Sequence, residues 1–200
     1  KLFSFVDELV LDPFGGVGTT ALEAAALGRK AVTVDQNELY VERVLAERAK
    51  LNGSAHLIDA RLGDARQLEH ISDESVGLAV TSPPYWNKAD YGSGNQNLGN
   101  EAGYLSFIES MRGPFSEVFR VLAPGRKFGV VTANVNQHTD HGLLTFPLAT
   151  DLVMLLREIG FVLINEVIWN KDGTGGRWGS ANAQRPIFGS YPYPPNFLFK

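Results

Sequence analysis

The feature that most constrains the fold is a strand, a glycine-rich loop and a helix in immediate succession. Glu8–Asp12 is a short apolar segment typical of a strand, and Pro13–Gly18 is a loop with three glycines. Thr19–Leu27 is rich in helix formers, and Lys30–Val34 has the pattern of the next strand. This succession predicts the opening of a nucleotide-binding β-α-β unit, in which the N-terminus of the helix faces the ligand.

Strand and helix patterns continue to alternate along the rest of the chain. We predict helices at Glu38–Leu51, Glu101–Leu122 (broken near Gly113-Pro114) and Phe146–Ile159, strands at Ala55–Arg61, Val76–Thr81, Lys127–Thr132 and Phe161–Trp169, and loops at Trp86–Asn100 and Asn134–Gly142. No internal repeat interrupts the alternation. The pattern predicts an α/β fold with a doubly wound, mostly parallel sheet.

Composition limits the class of protein. The chain has 200 residues, of which 44% are hydrophobic and 20% are charged, as in a globular domain with a sizeable core. It has no membrane-length apolar run and no signal-peptide pattern, so we expect a cytoplasmic protein without a membrane partner. Because cysteine is absent, disulfides, thiolate metal sites and thiol nucleophiles are excluded. The chain begins with Lys1 and stops after an aromatic run, so we expect it to be truncated at both ends.

Charge is unevenly distributed along the chain. The net charge is −4, but the segment 171–200 is basic and is interleaved with aromatic residues. Cations can meet phosphates while rings stack on bases, so this segment is a candidate for contact with nucleic acid. Arg177 and Arg185 are its candidate phosphate or guanine contacts. An ordinary, partly ordered tail remains the alternative interpretation.

The glycine loop admits two kinds of ligand. Gly16–Ala21 fits the G-x-G-x-x-A pattern of dinucleotide sites, and Asp35 follows at the distance expected of a ribose-binding acid. S-adenosylmethionine can use the same turn without a diphosphate. Asp12 would repel a diphosphate and attract an ammonium group, while Asp64 could accept a hydrogen bond from an adenine amine. Each acid alone could be a simple turn residue, but the three together favour S-adenosylmethionine.

A second loop follows the apolar strand Val76–Thr81. Pro83 and Pro84 fix two backbone angles and remove two donors, so the carbonyls of Ser82 and Pro83 are held as acceptors. A flat ring with an exocyclic amine could stack on Tyr85 and donate to these carbonyls. The alternative is a proline turn that simply ends a strand.

Two motifs occur together in this sequence: Asp12–Thr20 (DPFGGVGTT), and Thr81–Asn87 (TSPPYWN) with Asp90–Gly92 (DYG) after it. In combination they resemble the DNA amino-methyltransferases, the family that methylates N4 of cytosine or N6 of adenine. Phe119–Gly125 and Arg185–Asn196 are similar to further segments of that family. The resemblance covers nearly the whole chain and implies a Rossmann-like class I methyltransferase fold.

The resemblance also implies roles for individual residues. It places residues around S-adenosylmethionine and around the target base in three sets. The cofactor set is Asp12, Phe14, Gly16, Gly18, Thr19, Thr20, Asp35, Asp64 and Ala65; the catalytic set is Ser82, Pro83, Pro84 and Tyr85; the substrate set is Tyr85, Trp86, Arg177 and Arg185. It implies a catalytic domain at 1–170 and a DNA-contacting segment at 171–200. No metal is implied, and we interpret His138 and His141 as part of a solvated loop.

The implied reaction is methyl transfer to an amine of a base flipped out of double-stranded DNA. Hydrogen bonds from the amine to the Pro83 carbonyl and the Ser82 side chain would free its lone pair for in-line attack. In this family serine at position 82 is associated with N4-cytosine, whereas Asp or Asn is associated with N6-adenine. Methylation of N6-adenine, an RNA amino-methyltransferase and a non-catalytic DNA-binding relative stay open as alternatives, and a restriction endonuclease is an implied partner. An oxidoreductase using NAD would need a hydride-handling residue, which we do not find.

Overall fold

Helices and strands alternate through the residues that the structure describes. A computed structural model of the chain describes residues 2–51, 53–86, 98–101 and 103–168. The elements in chain order are β1 (Leu9–Asp12), α1 (Thr19–Ala26), β2 (Lys30–Asp35), α2 (Glu38–Arg48), β3 (Ile58–Leu62), β4 (Val76–Thr81), α3 (Tyr104–Ser110), α4 (Arg112–Val121), β5 (Leu122–Val130), β6 (Val135–Thr139), β7 (Gly142–Phe146) and α5 (Leu148–Ile159). Short 3-10 helices occupy Ala55–Leu57 and Leu98–Asn100.

The central sheet contains five parallel strands in the order β3-β2-β1-β4-β5. Leu11 of β1 pairs with Val32 on one side and with Ala79 on the other, so β1 is the middle strand. The chain proceeds outward from β1 through β2 to β3, and then crosses back to β4 and β5. The order therefore reverses between β1 and β4, and ligands bind at such a switch point in open α/β sheets. The predicted doubly wound parallel sheet is confirmed.

Apolar side chains cover both faces of this sheet. Successive residues of a strand point to opposite faces. Val10 accordingly packs with Ala21 and Ala25 of α1, whereas Leu11 packs with Val118 of α4. The predicted layers, with helices on both faces of a parallel sheet, follow from this alternation.

A third group of buried side chains, here called the aromatic cluster, joins the last three helices to the loop after β4. Its buried members are Trp86, Leu98, Phe107, Met111, Phe115, Val135, Leu148, Leu152 and Leu155. Trp86 makes edge-on ring contacts, with centroids 5.2 Å from Tyr104 and 4.8 Å from Phe146. The cluster thereby attaches the segment after β4 to the helical layer.

The prediction of a polar loop at 134–142 is wrong for most of the segment. β6 and β7 form an antiparallel hairpin in which Val135 pairs with Phe146 and Thr139 pairs with Gly142. Val135 is the only aliphatic residue of β6 and is buried, so the strand shows no alternating apolar pattern. Its ladder comes from pairing with β7, which a local pattern does not reveal.

The prediction of a strand at Phe161–Trp169 is also wrong for the residues that the structure describes. Residues 161–168 form no strand, although the ring of Phe161 packs 5.0 Å from that of Phe119. Residues 161–168 have the apolar composition of a strand but pair with no neighbouring strand. Val162, for example, is 82% exposed. The chain divides into two units between Leu163 and Ile164. The predicted domain boundary near residue 170, Arg177 and Arg185 lie outside the described residues.

Other differences concern the ends of elements. The predicted helix 101–122 consists of two helices that meet at Met111, and Pro114 lies in the first turn of the second, where no backbone donor is needed. β3 begins at Ile58 because the three residues before it form a 3-10 turn. β5 begins at Leu122 rather than at Lys127. No helix among the described ranges is both long and apolar enough to cross a membrane.

Candidate active site

Asp12 lies at the carboxyl end of β1, at the switch point of the sheet. Its side chain is buried and accepts hydrogen bonds from the Thr81 hydroxyl at 2.7 Å and from the backbone N–H of Phe14 at 3.2 Å. Thr20, in the first turn of α1, also donates to it. Burial raises the pKa of Asp12 despite these three donors, and the nearby Asp35 carboxylate adds to the rise. A cation placed next to Asp12 would offset the cost of its buried charge.

The glycine loop is attached to the end of β2 by main-chain contacts. The N–H of Gly15 donates to the carbonyl of Val34, and the N–H of Gly16 donates to the Asp35 carboxylate, both at 2.8 Å. Gly16 has φ +50°, and no atom lies within 4 Å of the position that a Cβ would occupy. This open space could accommodate a ligand atom.

Gly18 serves a different purpose in the same loop. It has φ +83° and precedes the first residue of α1, and a Cβ there would lie 2.5 Å from Cγ2 of Val44 in α2. Glycine is therefore required for the close packing of the loop against α2. Thr19, the first residue of α1, is exposed, while Ala65 after β3 is buried.

Two further acids follow neighbouring strands. Asp35 accepts one backbone N–H on each carboxylate oxygen, from Gly16 and from Asn37, both at 2.8 Å. Each oxygen keeps a lone pair that a ribose hydroxyl could use. Asp64 instead binds Arg66, whose backbone N–H and Nε each lie 2.9 Å from Oδ1. Burial raises the pKa of Asp64, but the bonds from Arg66 outweigh it and hold the pKa below its usual value.

The loop after β4 is held by the end of β5. Ser82 is exposed, Pro83 is buried and Pro84 is half-buried. The Tyr85 hydroxyl donates to the carbonyl of Val131 at 3.1 Å and lies 3.0 Å from Oγ of Ser82. The carbonyl of Thr81, at the start of the loop, accepts from the N–H of Val131 at 2.8 Å. Both ends of the loop are therefore attached to the same residue.

The two loops meet at the sheet edge. Thr81 immediately precedes Ser82 and donates to Asp12, so the strand that carries the proline loop touches the acid of the glycine loop. Phe14 and Tyr85 are both half-buried and both pack against the aromatic cluster. The two motif loops therefore lie side by side at the carboxyl end of the sheet.

Trp86 takes a position different from the one its predicted role requires. Its ring is buried, its indole N–H donates to the Glu101 carbonyl at 2.9 Å, and its ring contacts are with Tyr104 and Phe146. The predicted contact with a target base needs an accessible ring face. Trp86 thus anchors the loop to the aromatic cluster, and its contact with a target base stays a prediction.

Sequence reasoning missed two residues of this site. Thr81 is polar and buried at the end of an apolar strand, a position that could have indicated its hydrogen bond to Asp12. Val131 contributes only main-chain atoms, so no sequence signal could have found it. His138 and His141 lie exposed on the β6–β7 hairpin, and among the described residues no group of three or more His, Asp or Glu side chains is placed to bind a metal ion.

Comparisons with known proteins agree with this geometry. The sequence model of the N6/N4 methyltransferase family, described as DNA methylase, matches residues 1–48 and 76–191. Both motif loops fall within the matched ranges.

Individual relatives carry the same family likeness. Type II methyltransferase M.MjaI of Methanocaldococcus jannaschii is 28% identical over 159 residues, which cover 67% of this chain and 49% of that protein. Type II methyltransferase M.Cfr9I of Citrobacter freundii is 32% identical over 160 residues, which cover 66% of this chain and 52% of that protein. The chain thus spans about half the length of these two relatives.

Solved structures share the fold. A structure of SAM-dependent methyltransferases from Methanosarcina mazei superposes with a TM-score of 0.53 at 16% identity, covering 79% of this chain and 81% of that one. This likeness supports the Rossmann-like architecture alone. The family match extends over more than half of the chain and includes both loops at the switch point. The chain belongs to the N6/N4 DNA methylase family, whose methyl donor is S-adenosylmethionine.

Proposed function

We propose that this chain is the catalytic part of a DNA methyltransferase that methylates the exocyclic N4 of cytosine. One observation carries the proposal: the hydrogen bond of 2.7 Å between Thr81 and Asp12 joins the proline loop to the glycine loop at the switch point. A donor held by the glycine loop and an amine held by Ser82 would therefore lie in the same cleft. The family match supports double-stranded DNA as the substrate.

The residues of the glycine loop fit S-adenosylmethionine. When bound, it supplies a methyl group carried on a positively charged sulfur. Asp12 is a buried carboxylate that an ammonium group would stabilise, and Gly16 leaves open space next to Asp35. Asp35 would hold the ribose with its remaining lone pairs. Asp64 would have to exchange its bonds with Arg66 for an adenine amine.

The proline loop would act by holding the target amine. An amine on an aromatic ring is a weak nucleophile because its lone pair is delocalised. If its two hydrogens bind Oγ of Ser82 and the carbonyl of Pro83, the nitrogen becomes pyramidal and its lone pair is free. A nitrogen–carbon bond then forms as the sulfur–carbon bond breaks, sulfur keeps the electron pair, and one amine hydrogen leaves as a proton to water. Positioning and fixed dipoles carry the rate enhancement.

The choice of N4-cytosine rests on the serine at position 82, which in this family is associated with cytosine. The same two acceptors could also hold the N6 amine of adenine, so adenine is the second candidate. Either base must leave the duplex to reach the loop, and the ring of Tyr85 would stack on it. The names of the two relatives support the prediction of a restriction endonuclease partner.

The proposal is tested by incubating the chain with radiolabelled S-adenosylmethionine and DNA of mixed sequence, followed by nucleoside analysis. We expect label in N4-methylcytosine, and Ser82→Ala should lower the rate by about tenfold to a hundredfold because one acceptor of the amine is lost. Label in N6-methyladenine would replace cytosine by adenine as the target. Label in RNA and none in DNA would contradict the proposed substrate.

A further inference from the structure

The Tyr85 hydroxyl bridges two groups, one in the proline loop and one in the residue that follows β5. It lies 3.1 Å from the carbonyl oxygen of Val131 and 3.0 Å from Oγ of Ser82. A ring that only stacked on a base would not need this hydroxyl. We call Ser82, Tyr85 and Val131 the hydroxyl relay.

The direction of the relay follows from its chemistry. A carbonyl oxygen can only accept, so Tyr85 is the donor to Val131. A phenol has one proton, and that proton is committed to the carbonyl. The contact with Ser82 must then run from the Ser82 hydroxyl to the Tyr85 oxygen. With its own proton occupied, Oγ of Ser82 offers only lone pairs to the cleft.

The Val131 end of the relay is fixed by the sheet. Thr81 pairs with Val130, the last residue of β5, and the N–H of Val131 extends this pairing by donating to the Thr81 carbonyl at 2.8 Å. The Val131 carbonyl therefore keeps its position relative to the loop. A fixed acceptor at one end orients both hydroxyls of the relay.

We infer that the Tyr85 hydroxyl is a positioning group that holds Ser82 as a hydrogen-bond acceptor for the target amine. This inference rests on the proposed function and adds a role for the hydroxyl that is separate from stacking by the ring. Without the hydroxyl, Ser82 can turn its proton toward the cleft. If the Ser82 hydroxyl proton faces a hydrogen of the target amine, the hydrogen bond from the amine to Ser82 is lost, and the amine nitrogen is no longer held pyramidal.

The test compares Tyr85→Phe with a matched control. Tyr85→Phe keeps the ring and removes the hydroxyl; Tyr104→Phe removes another bonded hydroxyl, one that donates to Asp151 at 2.6 Å in the helical layer. We expect Tyr85→Phe to lower kcat about tenfold while KM for DNA and Kd for S-adenosylmethionine stay within about twofold. Tyr104→Phe should leave kcat within about twofold. An equal loss of kcat in both variants would overturn the inference.

A double-mutant cycle asks whether the hydroxyl acts through Ser82. In the Ser82→Ala background, Tyr85→Phe should have almost no further effect on kcat, because the group to be oriented is gone. If the losses of kcat in the two single variants multiply in the double variant, the Tyr85 hydroxyl acts independently of Ser82, which would contradict the inference.

An independent measurement does not require activity. The three-bond Hα–Hβ couplings of Ser82 in the labelled full chain should show one rotamer in the parent and in Tyr104→Phe, and averaged rotamers in Tyr85→Phe. Averaged couplings in the parent, or unchanged couplings in Tyr85→Phe, would overturn the inference. If no variant methylates DNA or RNA, the proposed function fails, and the couplings still decide whether the relay exists.

Discussion

Asp12 combines burial with a charge that the ligand-free fold does not fully compensate. Burial raises the pKa of Asp12. The hydrogen bonds that it accepts from the Thr81 and Thr20 hydroxyls and from the backbone N–H of Phe14 lower the pKa, but burial outweighs them. A raised pKa in the folded state means that the fold favours the protonated acid. The charged form of Asp12 therefore costs some stability in the ligand-free chain, and we propose that a cationic ligand offsets this cost.

Replacing Asp12 by Asn should separate these two effects. Asn keeps the shape and removes the charge, so the free energy of unfolding of the ligand-free chain should rise at pH 7. Affinity for S-adenosylmethionine should fall by about tenfold to a hundredfold, the usual value of a charged hydrogen bond. Urea denaturation and calorimetry measure the two quantities. A variant that is less stable and still binds normally would contradict this account.

The same residue predicts a pH dependence of binding. Because the pKa of Asp12 in the folded chain is raised above the ordinary Asp value of 3.8, its carboxylate is neutralised at a higher pH than that of an ordinary Asp. Affinity should decline as pH falls through that raised pKa, and the stability of the ligand-free chain should decline as pH rises from 3.8 through the same window. In Asp12→Asn, both the affinity for S-adenosylmethionine and the stability of the ligand-free chain should lose this dependence on pH. Titration calorimetry across pH measures the affinity.

At the scale of elements, α1 is positioned by glycines that do different things. Gly18 allows the loop to pack against α2, whereas Gly16 leaves space for a ligand. The first is a packing requirement, and we propose that the second is a binding requirement. Substitution should therefore affect different properties at the two positions.

We expect Gly18→Ala to destabilise the chain by about 2–4 kcal/mol, through an unfavourable φ and contact with Val44. Adding Val44→Ala should relieve the contact, so that the double variant is more stable than the sum of the single losses predicts. Gly16→Ala should cost only about 1 kcal/mol of stability but weaken S-adenosylmethionine binding, because its Cβ enters open space. Urea denaturation of all four variants checks this, and additive losses at Gly18 and Val44 would contradict it.

The elements that could be predicted from sequence are those whose pattern is local. β4 was predicted with its observed ends because an apolar run stops at two prolines, and the start of α1 was predicted at Thr19 because helix formers follow a glycine loop. β6 could not be predicted, since its only aliphatic residue is Val135 and its stability comes from pairing with β7. In the site, the acids at strand ends were predictable, whereas the bond between Asp64 and Arg66 depends on the turn geometry after β3.

At the scale of the whole molecule, strand order brings distant parts of the sequence together. Asp12 and Thr81 are 69 positions apart, yet they touch because β4 returns to the side of β1 opposite β2. Long-range parallel pairing of this kind places both loops at one edge of the sheet. The site therefore depends on the complete sheet rather than on either motif alone.

Binding of S-adenosylmethionine should consequently stabilise the whole domain. At a free concentration about 100 times Kd, binding to the folded state alone adds about 2.7 kcal/mol. For a chain of this length that corresponds to a rise in Tm of roughly 5–10 °C. NAD at the same concentration should give no rise, and in Asp12→Asn the rise with S-adenosylmethionine should fall to about half or less. Scanning calorimetry checks the prediction, and a shift with NAD would contradict the cofactor assignment.

Val131 holds the proline loop with main-chain atoms alone, while its side chain is about half exposed. Any residue except proline could supply the same N–H and carbonyl. Mutational scanning by side-chain replacement would therefore pass over position 131 as tolerant, although the main chain of Val131 holds the proline loop. Only proline, or an ester in place of the amide, would reveal how much of the loop's geometry comes from its backbone.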